Sequence, residues 1–304
     1  MTAVICMATF NGAPWLSQQL QSLREQDDPD WHLLVSDDGS SDASCDIITR
    51  FQDTDPRLEL LPPRVGESTA CGNFEHLLQW VADKYPDPAQ AILLCDQDDV
   101  WLPHKLRLQQ DCLRSAVACC SELELLDHRG EAGGLLLSAQ GASVRPSLQS
   151  LLAQNSVVGC TLALRREVLD LALPFPAGLL NHDWWLGLCA LVLGDLEFHR
   201  EALVRYRQHD GNVIGAYRPG KQWKRLPTLL ARQAAVLRSQ CAASALLTER
   251  MRDLGRPVPE VLGRYAAVLR ADGAYGRVQA LLWGEFAAMH PPLRWLRSWS
   301  ALRL

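Results

Sequence analysis

Two patterns alternate along the first hundred positions. Short continuous apolar runs fall at residues 3–8, 32–36, 57–61 and 91–95, as expected for strands buried on both faces. Between them, residues 15–26 place apolar side chains at 16, 20 and 23, a helical spacing. Asp42 is placed to cap a second helix running to about 51, and 72–84 reads as a third. Pro103 suits the first turn of a fourth helix, which the pattern extends to about 119. This order predicts an α/β fold with a mainly parallel sheet flanked by helices. Further on, 130–134 reads as a loop, 157–164 as a buried strand, 182–193 as a helix with a wide apolar face, and 203–207 as a short strand. Beyond Pro219 the texture changes. Residues 226–254 and 259–286 are rich in Ala, Leu and Arg and read as helices, so the chain divides into an α/β unit over 1–218 and a helical C-terminal region over 219–304.

Charge follows the same division. Net charge is −5 overall, but residues 1–200 hold 13 Lys and Arg against 28 Asp and Glu, while 201–304 hold 17 against 7. No acid occurs from Gly211 to Thr248, a stretch carrying Arg218, Lys221, Lys224, Arg225, Arg232 and Arg238. Such a segment suits an anionic surface, either a membrane or a substrate phosphate. It also suits packing against the acidic half. A nucleic-acid partner is disfavoured, because the acidic half repels a phosphate backbone.

The 304 residues, 48% hydrophobic and 21% charged, are enough for a full-sized core. No run of 18 apolar residues is present, and the first dozen residues lack the charged region and cleavage site of a signal peptide. The ten cysteines form no CxxC pair and several lie in apolar runs, which predicts buried free thiols in a reducing cytosol rather than disulfides or a zinc site.

Chemistry concentrates in two acidic clusters at the ends of predicted strands. Asp96-Gln97-Asp98-Asp99 follows the 91–95 run directly. Three carboxylates within four residues repel one another unless a positive group neutralises them, and a hard divalent cation such as Mg²⁺ or Mn²⁺ does so while bridging a diphosphate. A solvated acidic turn is the competing reading. Asp37-Asp38-Gly39-Ser40-Ser41-Asp42 follows the 32–36 run and, taken alone, is ordinary turn chemistry. In a parallel sheet both clusters face one edge, where ligands bind.

The segments VICMATFNG, VSDDGSSD, LLCDQDDVWLPHKL and NHDWW, in this order, resemble a family 2 glycosyltransferase of GT-A fold over roughly residues 1–215. VVGCTLALRR and YRQHDGNVIG resemble bacterial rhamnosyltransferases of surface-polysaccharide assembly, such as those building O-antigen. The resemblance implies a metal-dependent inverting transfer from a nucleoside-diphosphate sugar, dTDP- or UDP-linked, with L-rhamnose from dTDP-L-rhamnose as the expected donor sugar. It implies that Thr9, Phe10 and Asn11 line base and ribose, and that Asp38 accepts the imide N–H of uracil or thymine. Asp96 and Asp98 would hold ribose and metal-bound water, with Asp99 the most direct metal ligand and His209 and Asp98 further ligands. Asp183 would be the catalytic base. Trp184 or Trp185 would stack on a sugar face, Arg207 would meet phosphate, and Asn155 with residues 159–161 would border the acceptor pocket. Trp101 and Lys105 read as packing and solvated helix surface. The implied acceptor is a glycan or lipid-linked oligosaccharide at the cytoplasmic face of a membrane, where the basic tail with Trp223, Trp283, Trp295 and Trp299 would dock or dimerise.

Two other classes compete. AILLCDQDDV also fits the strand-then-DxD motif of haloacid-dehalogenase-type phosphatases, but two motif-bearing strands precede it and no lysine lies between Lys105 and Lys221 to complete that site. A non-catalytic sugar-nucleotide-binding protein is disfavoured by the presence of both an acidic cluster and a candidate base.

Overall fold

The computed structural model describes residues 2–66, 68–87, 90–126, 132–139, 146–209 and 226–267. The sheet is built from β1 (Ala3–Thr9), β2 (Trp31–Asp37), β3 (Leu58–Leu60), β4 (Ala91–Asp96), β5 (Val100–Trp101), β6 (Ala118–Leu126), β7 (Ala132–Leu135), β8 (Ala163–Arg165) and β9 (Leu196–Arg207). Its order is β3-β2-β1-β4-β8-β6-β9-β5, with β7 beside β6. The pairs β2–β3, β1–β2, β1–β4 and β6–β9 are parallel, while β8 runs antiparallel to both β4 and β6. Strands 1, 2, 3, 4, 6 and 9 therefore share a direction, and the ends of β1, β2, β4 and β9 meet at one edge.

Strands β1 and β4 bury both faces, and the period of two sorts their side chains. On β1, Val4 and Cys6 belong to one hydrophobic cluster, while Ala3, Ile5 and Met7 belong to the other. The second cluster also holds residues of α1 (Ala13–Arg24), α2 (Ser44–Gln52) and α4 (Lys105–Cys112). The first takes α3 (Ala70–Lys84), α6 (Leu148–Ala153), α7 (Glu167–Ala172) and α8 (His182–Leu193). One short helix, α5 (Leu136–Ala139), follows β7.

The C-terminal helices α9 (Leu226–Asp253) and α10 (Glu260–Ala266) have no separate core among the described residues. Leu237, Cys241, Leu247, Met251, Leu262 and Tyr265 join the cluster that holds α8. Arg250 fastens α9 by donating to the carbonyls of Leu171, Ala172 and Pro174. The four tryptophans of the tail, and the basic residues from Arg218 to Arg225, lie outside the described residues.

Several expected elements differ. The helix after Pro103 ends at Cys112, and residues assigned to its end and to irregular chain form the nine-residue strand β6. Residues 157–164 are not one strand: Gly159–Thr161 is a 3-10 turn ahead of the short β8. Within the expected 130–134 loop, β7 begins at Ala132, and the 203–207 strand is the end of a longer β9. The cysteines are free and seven of the ten are buried, as their apolar settings predict. No described helix is long and apolar enough to cross a membrane.

Candidate active site

At the shared edge, the chain leaves β1 through Thr9, Phe10 and Asn11. Asn11 adopts a left-handed φ of 49°, which places its backbone N–H on Ser40 Oγ (2.8 Å) and its side-chain oxygen on the Ser41 N–H (2.8 Å). Gln97 pins the other side. Its Oε1 accepts from Thr9 Oγ1 (2.6 Å) and the Phe10 N–H (2.9 Å), and its Nε2 donates to the Phe10 carbonyl (3.0 Å). Gly12 makes room for this clamp, since a Cβ there would lie 2.1 Å from Gln97 Oε1. The Phe10 ring stands 49% exposed at the edge.

The β2 cluster divides its tasks. Asp37 holds the turn, accepting from Gly39 N, Ser40 N and Ser40 Oγ. Asp38 is oriented by Arg64, whose Nε donates at 2.6 Å, and by Ser68 Oγ at 2.6 Å. Each carboxylate oxygen keeps a second lone pair, so an imide N–H still has an acceptor there.

The acidic loop after β4 is likewise differentiated. Asp98 Oδ2 and His209 Nε2 meet at 2.7 Å, with side chains 13% and 16% exposed. The His209 ring stacks on Trp15, with centroids 3.9 Å apart. Asp96 is at the rim, and burial, reinforced by Asp98 and Asp183, pushes its pKa up to about 7. Asp99, expected as the most direct metal ligand, lies behind the edge at 0% exposure. Its Oδ1 accepts the Arg207 N–H (3.1 Å), and burial followed by the charges of Asp98 and Asp96 holds its pKa well above the usual carboxylate range.

Two donor groupings thus adjoin. Asp98 with His209 offers a carboxylate and an imidazole at a solvent-reached edge, a set that fits Mg²⁺ or Mn²⁺. Asp96, Asp99 and Cys160 bring ligand atoms within 4.8 Å of one another, and Asp99 Oδ2 has no hydrogen-bond partner. That second set is sealed and includes a thiol held protonated by burial, a poor ligand for a hard cation.

Asp183 opens α8, where the helix N-terminus favours a carboxylate. Its Oδ1 accepts from Asn155 Nδ2 (3.2 Å) and the Trp184 N–H (2.7 Å). Burial outweighs these bonds and lifts its pKa to about 6. Asp183 also raises the pKa of Asp96, so the two carboxyls lie close enough to feel each other's charge. His182 stacks on Phe74 at 4.2 Å, and burial lowers its pKa to about 4.

Three expected contacts are corrected. Trp184 and Trp185 are fully buried and donate their indole N–H groups to the carbonyls of Leu151 and Ala172, both at 3.0 Å, so they pack the core and reach no sugar. Arg207, expected at phosphate, is 6% exposed. Its Nε donates to the Asp98 carbonyl (2.9 Å) and its Nη2 to Gln18 Oε1 (2.7 Å), which braces the acidic loop against α1. Lys105, expected on a solvated face, is completely buried. Sequence reasoning also missed Gln97, Arg64 and Ser68. The glutamine was visible inside the acidic motif, but only the fold shows that it spans to β1.

The sequence description for glycosyl transferase family 2 matches residues 4–121. The dTDP-rhamnosyl transferase RfbG of Shigella flexneri is 29% identical over 222 residues, 69% of this chain and 74% of that protein. The UDP-Glc:alpha-D-GlcNAc-diphosphoundecaprenol beta-1,3-glucosyltransferase WfgD of Escherichia coli is 30% identical over 105 residues, 34% of this chain and 38% of that protein. Among solved structures, S. aureus TarS 1–349 in complex with UDP-GlcNAc aligns with a TM-score of 0.58 at 14% identity, covering 99% of this chain and 88% of that one. A mannosyltransferase of Pyrobaculum calidifontis in complex with GDP-Man and Mn²⁺ aligns at 0.55 and 15% identity, covering 99% and 84%. The architecture is the GT-A fold expected from the sequence.

Proposed function

The chain is a family 2 glycosyltransferase of GT-A fold, and from that premise we propose that it catalyses inverting transfer of L-rhamnose from dTDP-L-rhamnose to a hydroxyl of a lipid-linked glycan. The donor assignment leans on the likeness to RfbG over two-thirds of this chain. The acceptor class leans on WfgD, whose name specifies a diphosphoundecaprenol-linked sugar. A cytoplasmic position beside the membrane follows from such an acceptor. UDP-linked donors remain the second choice, since Asp38 reads uracil and thymine alike.

The observation that carries the reading is the pairing of one base with one acidic edge. Asp183 is buried, hydrogen-bonded in place and raised to a pKa of about 6, so it is ionised at neutral pH yet basic enough to take a proton. In the proposed reaction its free oxygen accepts the acceptor hydroxyl's proton as that oxygen attacks the anomeric carbon. The nucleoside diphosphate departs from the opposite face, through an oxocarbenium-like transition state. Asp98 and His209 would hold a divalent cation, which supplies positive charge to the leaving diphosphate when bound. Phe10, Asn11 and Asp38 bind the nucleoside, and Gln97 keeps Thr9 and Phe10 in register with the acidic loop.

The test is nucleoside-diphosphate release, with dTDP-L-rhamnose, UDP-sugars and GDP-mannose offered in turn with a diphosphoundecaprenol-linked acceptor and Mn²⁺. The proposal expects dTDP release from dTDP-L-rhamnose, abolished by chelator. Turnover confined to a UDP-sugar would replace the donor, and turnover of GDP-mannose would overturn the role of Asp38.

A further inference from the structure

Lys105 is the first residue of α4 and is 0% exposed. Burying an ammonium is costly, and a cation at a helix N-terminus opposes the helix dipole, so neither burial nor local helix stability accounts for a lysine here. Its partners are specific. Nζ donates to Gln109 Oε1 one turn along α4 and lies 4.3 Å from the Trp101 ring centroid.

An ammonium has only donors, so it compels the Gln109 amide to turn its oxygen inward toward Lys105. The amide's Nε2 must then face the other way, where it donates to the Thr161 carbonyl at 2.6 Å. Gln109 is itself fully buried, so this is no adjustable surface contact. Thr161 closes the Gly159–Thr161 turn. Its N–H and Oγ1 both donate to the Val158 carbonyl, at 2.9 and 2.8 Å, and the Leu162 N–H returns to the Gly159 carbonyl at 2.9 Å. The front of this turn sets Gly159 against His182 and Asp183. Gly159 packs so closely that a Cβ would lie 3.0 Å from His182 Nε2 and 3.8 Å from Asp183 Cβ.

We propose that Lys105 is a positioning residue for the transfer reaction: through the enforced orientation of Gln109 it fixes the Gly159–Thr161 turn and thereby the backbone against which Asp183 packs. The inference rests on the reading of Asp183 as the base. It assigns a purpose to a buried charge that touches no substrate.

Four variants test it: Lys105→Met, Gln109→Glu, the double variant Lys105→Met/Gln109→Leu, and Asp183→Asn. Removing the buried charge together with its acceptor avoids an orphaned Gln109 Oε1 and leaves only the Thr161 carbonyl without its donor, so the double variant tests the turn with less disruption than Lys105→Met alone. The expected result is a kcat lower by on the order of 10²-fold in Lys105→Met and in the double variant, with Mn²⁺-dependent dTDP affinity unchanged. Gln109→Glu retains an acceptor for Lys105 but loses the donor to Thr161, so it falls in the same way; a purely stabilising Lys105–Gln109 contact would leave its kcat intact. Amide hydrogen exchange at Thr161 and Leu162, whose N–H groups close the turn, supplies a readout independent of turnover, with protection lost in all three Lys105 and Gln109 variants. Full kcat in a folded double variant, or retained protection at Thr161 and Leu162, overturns the proposal. Full activity in Asp183→Asn overturns the base reading instead, and the exchange at Thr161 and Leu162 then still decides the positioning claim.

Discussion

The Gln97 clamp gives a sharp energetic prediction, because its obstacle and its bonds can be removed separately. Gln97 makes three hydrogen bonds to Thr9 and Phe10, at 2.6, 2.9 and 3.0 Å. At about 1 kcal/mol each, less what water restores at the exposed Phe10 backbone, Gln97→Ala costs about 2 kcal/mol. Gly12→Ala acts on the same bonds from the other side. The three atoms nearest an added Cβ all belong to Gln97, at 2.1, 2.5 and 3.1 Å, so the flexible side chain must swing out and release the clamp. Gly12 has φ −98°, which alanine adopts without strain. In a Gln97→Ala background the obstacle is gone, and Gly12→Ala stabilises by about 0.4–1 kcal/mol through the unfolded chain. The two substitutions therefore couple by about 2 kcal/mol in a double-mutant cycle measured by urea unfolding. Additivity within about 0.5 kcal/mol would refute the clamp. The single variants should also weaken nucleotide binding, since the chain they release carries Phe10 and Asn11.

Other expectations follow from the titrating groups. Asp183→Asn keeps the shape of the carboxyl but cannot accept a proton, so kcat falls by roughly 10²–10⁴ while dTDP affinity holds; single-turnover kinetics and calorimetry separate the two. In the wild type, kcat rises with pH through about 6 as Asp183 ionises. Because folding raises this pKa from 3.8, the stability that Asp183 contributes is present below about pH 4 and is lost as pH rises through 6. Asp183→Asn should thus raise Tm at pH 8 and leave it unchanged near pH 4, and a uniform shift at both would contradict the assignment. Among the cysteines, Cys112 should alkylate first with iodoacetamide under native conditions. Hydrogen bonds from Cys119 and His199 hold its thiol down at about 5 in a half-buried position, whereas burial pushes Cys6, Cys120 and Cys189 up. Peptide mass mapping that found those three modified first would be inconsistent with the packing.

What was legible in the sequence follows physical lines. Strands β1, β2 and β4 are buried on both faces, so they read as unbroken apolar runs ending in acidic turns. Helix α8 was read to the residue, and its near-continuous apolar sequence after Asp183 already implied burial all round. That burial explains why Trp184 and Trp185 became core. Strand β6 was missed because Ser121, Glu122 and Glu124 interrupt its apolar pattern, while the turn before it carries no Gly or Pro. The Gly159–Thr161 turn was hidden in an apolar run, because its shape is set by Asp183, His182 and Gln109 rather than by its own residues. Lys105 was misread for a related reason. A lysine four residues before a glutamine is ordinary on an exposed helix, and only the tertiary fold reveals that both are enclosed. The edge that gathers Thr9, Asp38, Asp96 and Asp98 was readable because strand ends and motifs coincide. The different burial of Asp98 and Asp99 was not, since adjacent residues at a strand exit point in directions the sequence does not encode.

The central claim is a cation-assisted pyrimidine-nucleotide site at this edge, and thermal unfolding with Mn²⁺ and a panel of UDP, dTDP, GDP, ADP and CDP tests it most directly. A ligand that binds only the folded state raises Tm by mass action, by about 2.7 kcal/mol of stability at a hundredfold excess over Kd. The account predicts a Mn²⁺-dependent rise with dTDP or UDP that disappears in Asp98→Ala. A preference for GDP or ADP, or an undiminished rise in Asp98→Ala, would contradict it.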